Sequence, residues 1–253
     1  MIQIKTPAQI EAMRKAGRIT GEAILLAGEA IKPGVTTKKI DSLIRAYIEK
    51  CGAKPSFLGY AGFPGSACIS VNDQVIHGIP SDEVVLQEGD IVKVDVGAFI
   101  GGYHGDSART FACGKISEAA ALLIEQTKQS FFAALRQARP GARLGDIGFA
   151  VENHVAQFGY SVVRDYVGHG VGHDLHESPD VPNYGKPGRG LRLSSGMVIA
   201  IEPMVNAGGP AVKSLQDGWT VLTADGSLSS HYEHTVAITD EGPVLLTGID
   251  GCL

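Results

Sequence analysis

IVKVDVGAFIGGYHGDSARTF, residues 91–111, reads as two β-strands folded back on each other. Gly101-Gly102 supplies a two-residue turn, since glycine accepts the positive φ that such turns need. With those two at the tip, Ile100 faces Tyr103 and Gly97 stands opposite Asp106. Asp95 lies two residues further along the same strand. Opposed residues share a face of a sheet, as do residues two apart. Asp95 and Asp106 therefore project from one face as diagonal neighbours, roughly 7–8 Å apart at the backbone. Both can reach one metal ion, or a pair. The other face carries Val92, Val94 and Val96 and reads as core. An unpaired carboxylate set among those valines is costly to bury, so Asp95 calls for a partner.

Three more segments extend the pattern. IAIEPMV (199–205) puts Glu202 at the end of an apolar strand, where Pro203 stops pairing. HYEHTVAI (231–238) puts Glu233 at the start of another. GHGVGHDLHE (168–177) sets His169, His173 and His176 among glycines. A single histidine or glutamate in such a place is ordinarily a surface or satisfied core residue, and His173 is read that way. Two aspartates, two glutamates and at least one histidine in apolar, glycine-flanked strands read better as a metal site. An oxygen-rich set with one imidazole suits Mn²⁺, Fe²⁺ or Co²⁺, and admits Zn²⁺. Four carboxylates exceed the need of one divalent ion, which points to two ions sharing ligands.

Composition removes other classes. The chain has 253 residues, 44% hydrophobic and 19% charged, with a net charge of -5. That is too apolar and too weakly charged for disorder, and long enough for a full core. Its 33 glycines follow no collagen period. A mildly acidic chain without a Lys/Arg block argues against nucleic-acid binding. Cys51, Cys68, Cys113 and Cys252 form no CxxC pair and suit reduced thiols in a cytosol. The N-terminus turns polar within a few residues, unlike a signal peptide. No uninterrupted apolar run is long enough to span a membrane.

Periodicity sets out the elements. Thr6-Pro7 starts a helix that stops at Lys32-Pro33-Gly34. A second begins near Thr36 or Thr37, carries Ile40, Ile44 and Ile48 on one face, and ends at Gly52. Helices are expected again over about Ser117–Ala138 and Leu144–Phe158. The short apolar runs between and after them, among them 66–72, 161–167, 218–224 and 243–248, read as strands. Helix, helix, strands, twice over, is an α+β fold. The order also reads as an internal repeat at an offset of 107 residues. Pro33-Gly34 falls on Pro140-Gly141, Ile40, Ile44 and Ile48 on Ile147, Val151 and Val155, Gly52 on Gly159, and Gly89 on Gly196. Asp95 falls on Glu202. The expectation is one catalytic domain, 1–253, made of two pseudo-twofold-related halves of approximately 1–115 and 116–253.

The motifs SVNDQVIHGIP, VDVGAFIGGYHGDSARTF, RDYVGHGVGHDLHE, IAIEPM and HYEHTVAITD closely resemble the type I methionine aminopeptidases of the pita-bread metallopeptidase superfamily. The resemblance runs from the first helix to about Gly248. It implies the pita-bread fold, two α/β halves around a curved, mainly antiparallel sheet. It assigns five metal ligands to Asp95, Asp106, His169, Glu202 and Glu233, and two active-site histidines to His77 and His176. It implies removal of the initiator methionine from new proteins at a dinuclear centre of Co, Mn, Fe or Zn. Two ions roughly 3.5–4 Å apart lower the pKa of a bridging water, and the hydroxide attacks the first peptide bond. Glu202 would accept the water's proton, His176 would stabilise the oxyanion, and His77 would bind the scissile amide nitrogen. The methionine pocket falls on Phe57, Tyr60, Phe63, Cys68, Leu175 and Trp219. Many bacterial members carry Cys, Tyr and Phe where this chain has Phe57, Phe63 and Leu175, so the pocket stays apolar but differs in shape. The resemblance also places a monovalent cation near Asn72 and Ser229.

Spacing chooses within the superfamily. His169 and Glu202 are 33 residues apart, which leaves no room for the helical insertion of type II enzymes. His77 comes too early for the additional N-terminal domain of prolidases and aminopeptidases P. The eukaryotic zinc-finger extension is absent, and the short form looks bacterial. The implied setting is a cytoplasmic monomer acting on nascent chains at the ribosome, favouring a small second residue, with no nucleic-acid or membrane partner. By that rule Met1-Ile2 is a poor self-substrate, and Met1 is expected to be retained. Two other readings compete: an Xaa-Pro peptidase of the prolidase kind, and a metal-free binding protein on the same fold.

Overall fold

The computed structural model describes residues 2–249. Met1 and Cys252, both singled out from the sequence, lie outside the described residues. The first half runs α1 (Pro7–Ala30), α2 (Thr37–Lys50), β1 (Lys54–Pro55), β2 (Ala67–Val71), β3 (Gln74–Ile76), β4 (Ile91–Ile100) and β5 (Tyr103–Ala112). The second runs α3 (Glu118–Leu135), α4 (Leu144–Ala156), β6 (Ser161–Val162), β7 (Gly168–Gly170), β8 (Glu177–Val181), β9 (Val198–Ile201), β10 (Met204–Asn206), β11 (Val212–Ser214), β12 (Val221–Thr223), β13 (Ser229–His231), β14 (His234–Thr239) and β15 (Gly242–Leu245). The ladders among these strands are antiparallel, and the fold is α+β as expected.

The helices start where the sequence places their caps. Thr6 Oγ1 accepts from the Gln9 N–H at 3.3 Å while Gln9 Oε1 accepts from the Thr6 N–H at 2.8 Å, a capping box with Pro7 behind it. Thr36 and Ser117 cap α2 and α3 with their side chains alone, accepting from Lys39 and Ala120, each at 3.1 Å. Helix α3 stops at Leu135, short of the expected Ala138, ahead of Pro140, whose ring would clash with the Arg136 carbonyl four residues back in a continued helix. Helix α4 ends at Ala156, and Gly159 closes it with φ +76.

Each half packs its two helices on its own sheet. Ile40, Ile44 and Ile48 of α2 are fully buried against Ile69, Val92, Val94 and Val96. Ile147, Val151 and Val155 of α4 are buried in the same way against Ile199, Ile201 and Val236. Burying one such side chain contributes about 1.5–3 kcal/mol. At the offset of 107, α2 falls on α4, and β4 falls on β9 followed by β10. Paired glycines share one left-handed conformation: Gly34 and Gly141 at φ +87 and +91, Gly52 and Gly159 at +73 and +76, Gly89 and Gly196 at +96 and +88. The two segments differ at the strand itself. Strand β4 runs unbroken through Asp95, whereas Glu202-Pro203 interrupts its counterpart.

Hydrogen bonds join the halves across β5. The Asp106 N–H donates to Thr235 Oγ1 at 2.9 Å, and that hydroxyl donates to the Asp106 carbonyl at 2.8 Å. The Glu233 N–H donates to the Ala108 carbonyl at 2.8 Å. Thr110 Oγ1 donates to the His231 carbonyl and accepts from its N–H, both at 2.9 Å. Among the described residues, no helix is long and apolar enough to cross a membrane.

Candidate active site

The β4–β5 hairpin has the predicted register. Gly101 and Gly102 take φ +63 and +86, Ile100 pairs with Tyr103, Gly97 with Asp106, and Asp95 with Ala108. On its other side Asp95 pairs with Cys68 of β2. Glu202 follows β9 directly, and the Asn183 side-chain amide holds its carbonyl at 2.9 Å. Glu233 sits between β13 and β14. His169 is the middle residue of β7, which lies so close to its neighbours that only glycine fits beside it. A Cβ on Gly168 would come 2.3 Å from the Ala200 carbonyl oxygen, and one on Gly170 2.5 Å from that of Ser178.

These elements bring the acidic groups and the imidazole together. The ligand atoms of Asp106, His169 and Glu233 all lie within 4.8 Å of one another. His169 Nε2 is 3.7 Å from Asp106 Oδ2 and 3.5 Å from Glu202 Oε1. His169 Nδ1 lies 2.8 Å from the Gly170 carbonyl, which engages that nitrogen and leaves Nε2 to the acidic cluster. Asp95 Oδ1, Asp106 Oδ1 and Glu233 Oε1 are buried without a hydrogen-bond partner. Burial, with Asp106 beside it, holds the Asp95 carboxyl well above the usual carboxylate range. Burial pushes Asp106 up to about 7, against the lowering effect of the Ser107 N–H. Glu202 and Glu233 are raised by burial and by their acidic neighbours. Burial, aided by His176, pushes His169 down to about 3, so it is neutral. Orphaned carboxylate oxygens crowded around a neutral imidazole are unfavourable by themselves and complementary to divalent cations. The donor set fits the implied metals.

The cluster forms one wall of a cavity of about 160 Å³. Every residue expected at the site lines it: Asp95, Asp106, His169, Glu202 and Glu233, then His77 and His176, then Phe57, Tyr60, Phe63, Cys68, Leu175 and Trp219. Phe57, Phe63, Cys68 and Leu175 pack as one apolar cluster with Trp219 at its edge, the Trp219 ring meeting Phe63 edge-on at 5.1 Å. His77 has φ +59 and meets the rings of Tyr166 and Trp219 edge-on. Burial, with His176 nearby, pushes it down to about 4. The exposed His176 ring lies 4.1 Å from that of His169, tilted by 48°, and its Nδ1 is 2.8 Å from the Tyr60 hydroxyl. His173 lies apart from the cavity, stacked on Tyr103.

Three contributions are not evident in the sequence. His231 Nε2 is 3.6 Å from Glu202 Oε2, and both of its ring nitrogens are buried without a hydrogen-bond partner. Its position two residues before Glu233 is the available signal. Lys5, from the segment before α1, is buried and ion-paired with Glu177, whose carboxylate also accepts from the His173 N–H and so secures the loop carrying His176. Lys93, two residues before Asp95, is fully buried and donates from Nζ to the Asn72 carbonyl at 2.6 Å. Burial pushes Lys93 down to about 7, against the fields of Asp73 and Asp90.

Comparison with known proteins adds a family. A model of metallopeptidase family M24 matches residues 11–240. A methionine aminopeptidase of Clostridium acetobutylicum is 57% identical over 247 residues, covering 98% of this chain and 99% of that protein. The crystal structure of a methionine aminopeptidase from Thermotoga maritima has a TM-score of 0.97 at 45% identity, covering 98% of this chain and all of that one. A prolidase from Pyrococcus furiosus has a TM-score of 0.78 at 27% identity, and the match spans 66% of its chain.

Proposed function

The chain belongs to metallopeptidase family M24, and on that premise we propose that it is a methionyl aminopeptidase, hydrolysing the first peptide bond of proteins that begin with methionine. Its fold is the pita-bread fold. The observation that carries the reading is a single cavity with two unlike walls, one of carboxylates around His169 and one of Phe57, Phe63, Cys68, Leu175 and Trp219. An unbranched thioether fits the apolar, sulfur-tolerant wall, which leaves the first peptide bond over the acidic one.

Asp95, Asp106, His169, Glu202 and Glu233 would hold two divalent ions, of Co, Mn, Fe or Zn. When bound, such ions supply a nucleophile at neutral pH and Lewis-acid polarisation of the carbonyl. Glu202, raised by burial and by Asp106 and Asp95, accepts the proton of the attacking water. His176 has Nδ1 occupied by Tyr60, so its Nε2 donates to the carbonyl oxygen as charge develops there. His77 is neutral at physiological pH and hydrogen-bonds the scissile amide. The two halves are read as one duplicated unit, 1–115 and 116–253, which together form a single domain. The substrates are nascent polypeptides with a small second residue, met at the ribosome in the cytoplasm by a monomer. The free thiols of Cys51, Cys68 and Cys113 support a reducing compartment.

The test is hydrolysis of Met-Ala-Ser and of Xaa-Pro dipeptides by the Mn²⁺-loaded protein. Met-Ala-Ser is expected to be cut, and Glu202→Ala to abolish the cleavage. Preference for Xaa-Pro would transfer the chain to the prolidase activity. Full activity in Glu202→Ala would remove the assigned base.

A further inference from the structure

The turn between β2 and β3 is built around a cation that the reaction does not use. Lys93 pairs in register with Ser70 of β2 and Thr110 of β5, and only 1% of it is exposed. Burying an ammonium group is costly unless oxygen atoms receive it, and the Asn72 carbonyl does so at 2.6 Å. Asn72 is held in the left-handed region, φ +53. Its N–H donates to the Ile91 carbonyl at 2.9 Å, its side-chain amide donates to Asp90 Oδ1 at 2.8 Å, and its Oδ1 accepts from the Ile91 N–H at 3.0 Å. The Asn72 carbonyl also accepts from the Ser229 N–H at 3.1 Å. Both of its lone pairs are then in use. The Ser229 hydroxyl turns away, donating to Asn206 Oδ1 at 2.9 Å. Asn72 and Ser229 do come together as expected, but they do not fit a free monovalent ion, because Lys93 takes the place at the carbonyl.

The turn matters because it leads directly into β3 and His77. The Asp73 carbonyl accepts from the Thr223 N–H at 2.9 Å. Strand β3 pairs with β12, Ile76 opposite Val221, two residues beyond Trp219. His77 comes immediately after β3 at φ +59, and the Gly78 N–H is pinned to Ser70 Oγ at 3.0 Å. The turn held at the Asn72 carbonyl therefore leads, through Asp73 and β3, into the segments that carry both His77 and Trp219. We propose that Lys93 is a positioning residue, a tethered internal cation that stands in for a free potassium or sodium ion and makes the placement of His77 independent of monovalent salt.

The role of Lys93 rests on the hydrogen bonds of the turn, and two of its tests need no peptidase activity. Thermal unfolding of the protein is compared in potassium, sodium and choline chloride at matched ionic strength. The native midpoints are expected to coincide, whereas Lys93→Met has a lower midpoint in choline that potassium restores. Thallium(I) NMR is expected to show a bound resonance with Lys93→Met and none with the native protein. In the Mn²⁺-loaded enzyme, Lys93→Met loses about tenfold or more in kcat/KM on Met-Ala-Ser in choline and recovers in potassium, as for a shifted catalytic group. A bound thallium resonance in the native protein, or a native midpoint raised by potassium over choline, would overturn the proposal whether or not the variant folds. So would a Lys93→Met variant that folds and ignores potassium.

Discussion

At the scale of single residues, Tyr60 ties the lining of the cavity to the proposed catalytic His176. Its hydroxyl engages His176 Nδ1 at 2.8 Å and so holds the tautomer and orientation of the ring. Tyr60→Phe keeps the apolar wall and removes that partner. The net worth of one hydrogen bond, about 1 kcal/mol, corresponds to a loss of roughly fivefold in kcat. Steady-state kinetics on Met-Ala-Ser should show that loss with KM little changed. A change confined to KM would make Tyr60 a pocket residue only. The aspartates are legible in the sequence because strand geometry converts spacing into a shared face. His231 and Lys93 obey the same two-residue rule, beside Glu233 and Asp95. They escape a sequence reading because that rule gives the face and not the partner. Only the fold brings β13 against Glu202, and the β2–β3 turn over Lys93.

At the scale of elements, Asp41 joins a helix to a strand. Its Oδ1 accepts from the Ser66 and Ala67 N–H groups at 2.7 and 3.1 Å, fixing the start of β2 on α2, while Oδ2 meets Lys38 at 3.0 Å. Asp41→Ala leaves two buried donors without an acceptor and should cost about 2–3 kcal/mol, measured by urea unfolding of the metal-free protein. An unchanged urea midpoint would mean that water replaces the carboxylate. Helices are readable because caps and periodicity are local signals. Strands are readable where they are apolar. β8, Glu177–Val181, escapes because its sequence ESPDV has no alternation. The expected strand over 161–167 shrinks to Ser161–Val162, and Arg164 beyond it pairs with Glu152 at 2.6 Å.

At the scale of the molecule, the two halves meet around an acidic cluster that is unfavourable without cations. Asp106 is raised to about 7, against roughly 3.9 in an unfolded chain. Between those values the native state binds more protons than the unfolded one. Stability of the metal-free protein therefore falls as pH rises through about 7. His169, His231 and His77, lowered to about 3, 3 and 4, act in the opposite sense, but only below roughly 6.5, where unfolded histidine titrates. From pH about 6.5 to 8 the four raised carboxylates set the slope, opposed above about 7 by the single buried Lys93, which is lowered to about 7. Chelated protein should melt at progressively lower temperature over that window, and Mn²⁺ should restore it by a margin that grows with pH. Calorimetry with and without chelator checks this, and a margin independent of pH would contradict it.

The bonds that cross β5 have a mechanical consequence. Asp106 and Glu233, from opposite halves, sit on backbone tied by the Asp106–Thr235 and Ala108–Glu233 hydrogen bonds. A hinge motion between the halves would break those bonds and pull the proposed ligands apart. The two halves are therefore expected to stay together through the catalytic cycle, with Tyr60 and His176 on the lining of the cavity that substrates enter. Small-angle scattering profiles with and without a methionine-derived inhibitor should superimpose. Selection among substrates is then expected to rest on the shape of the cavity and not on closure of one half onto the other.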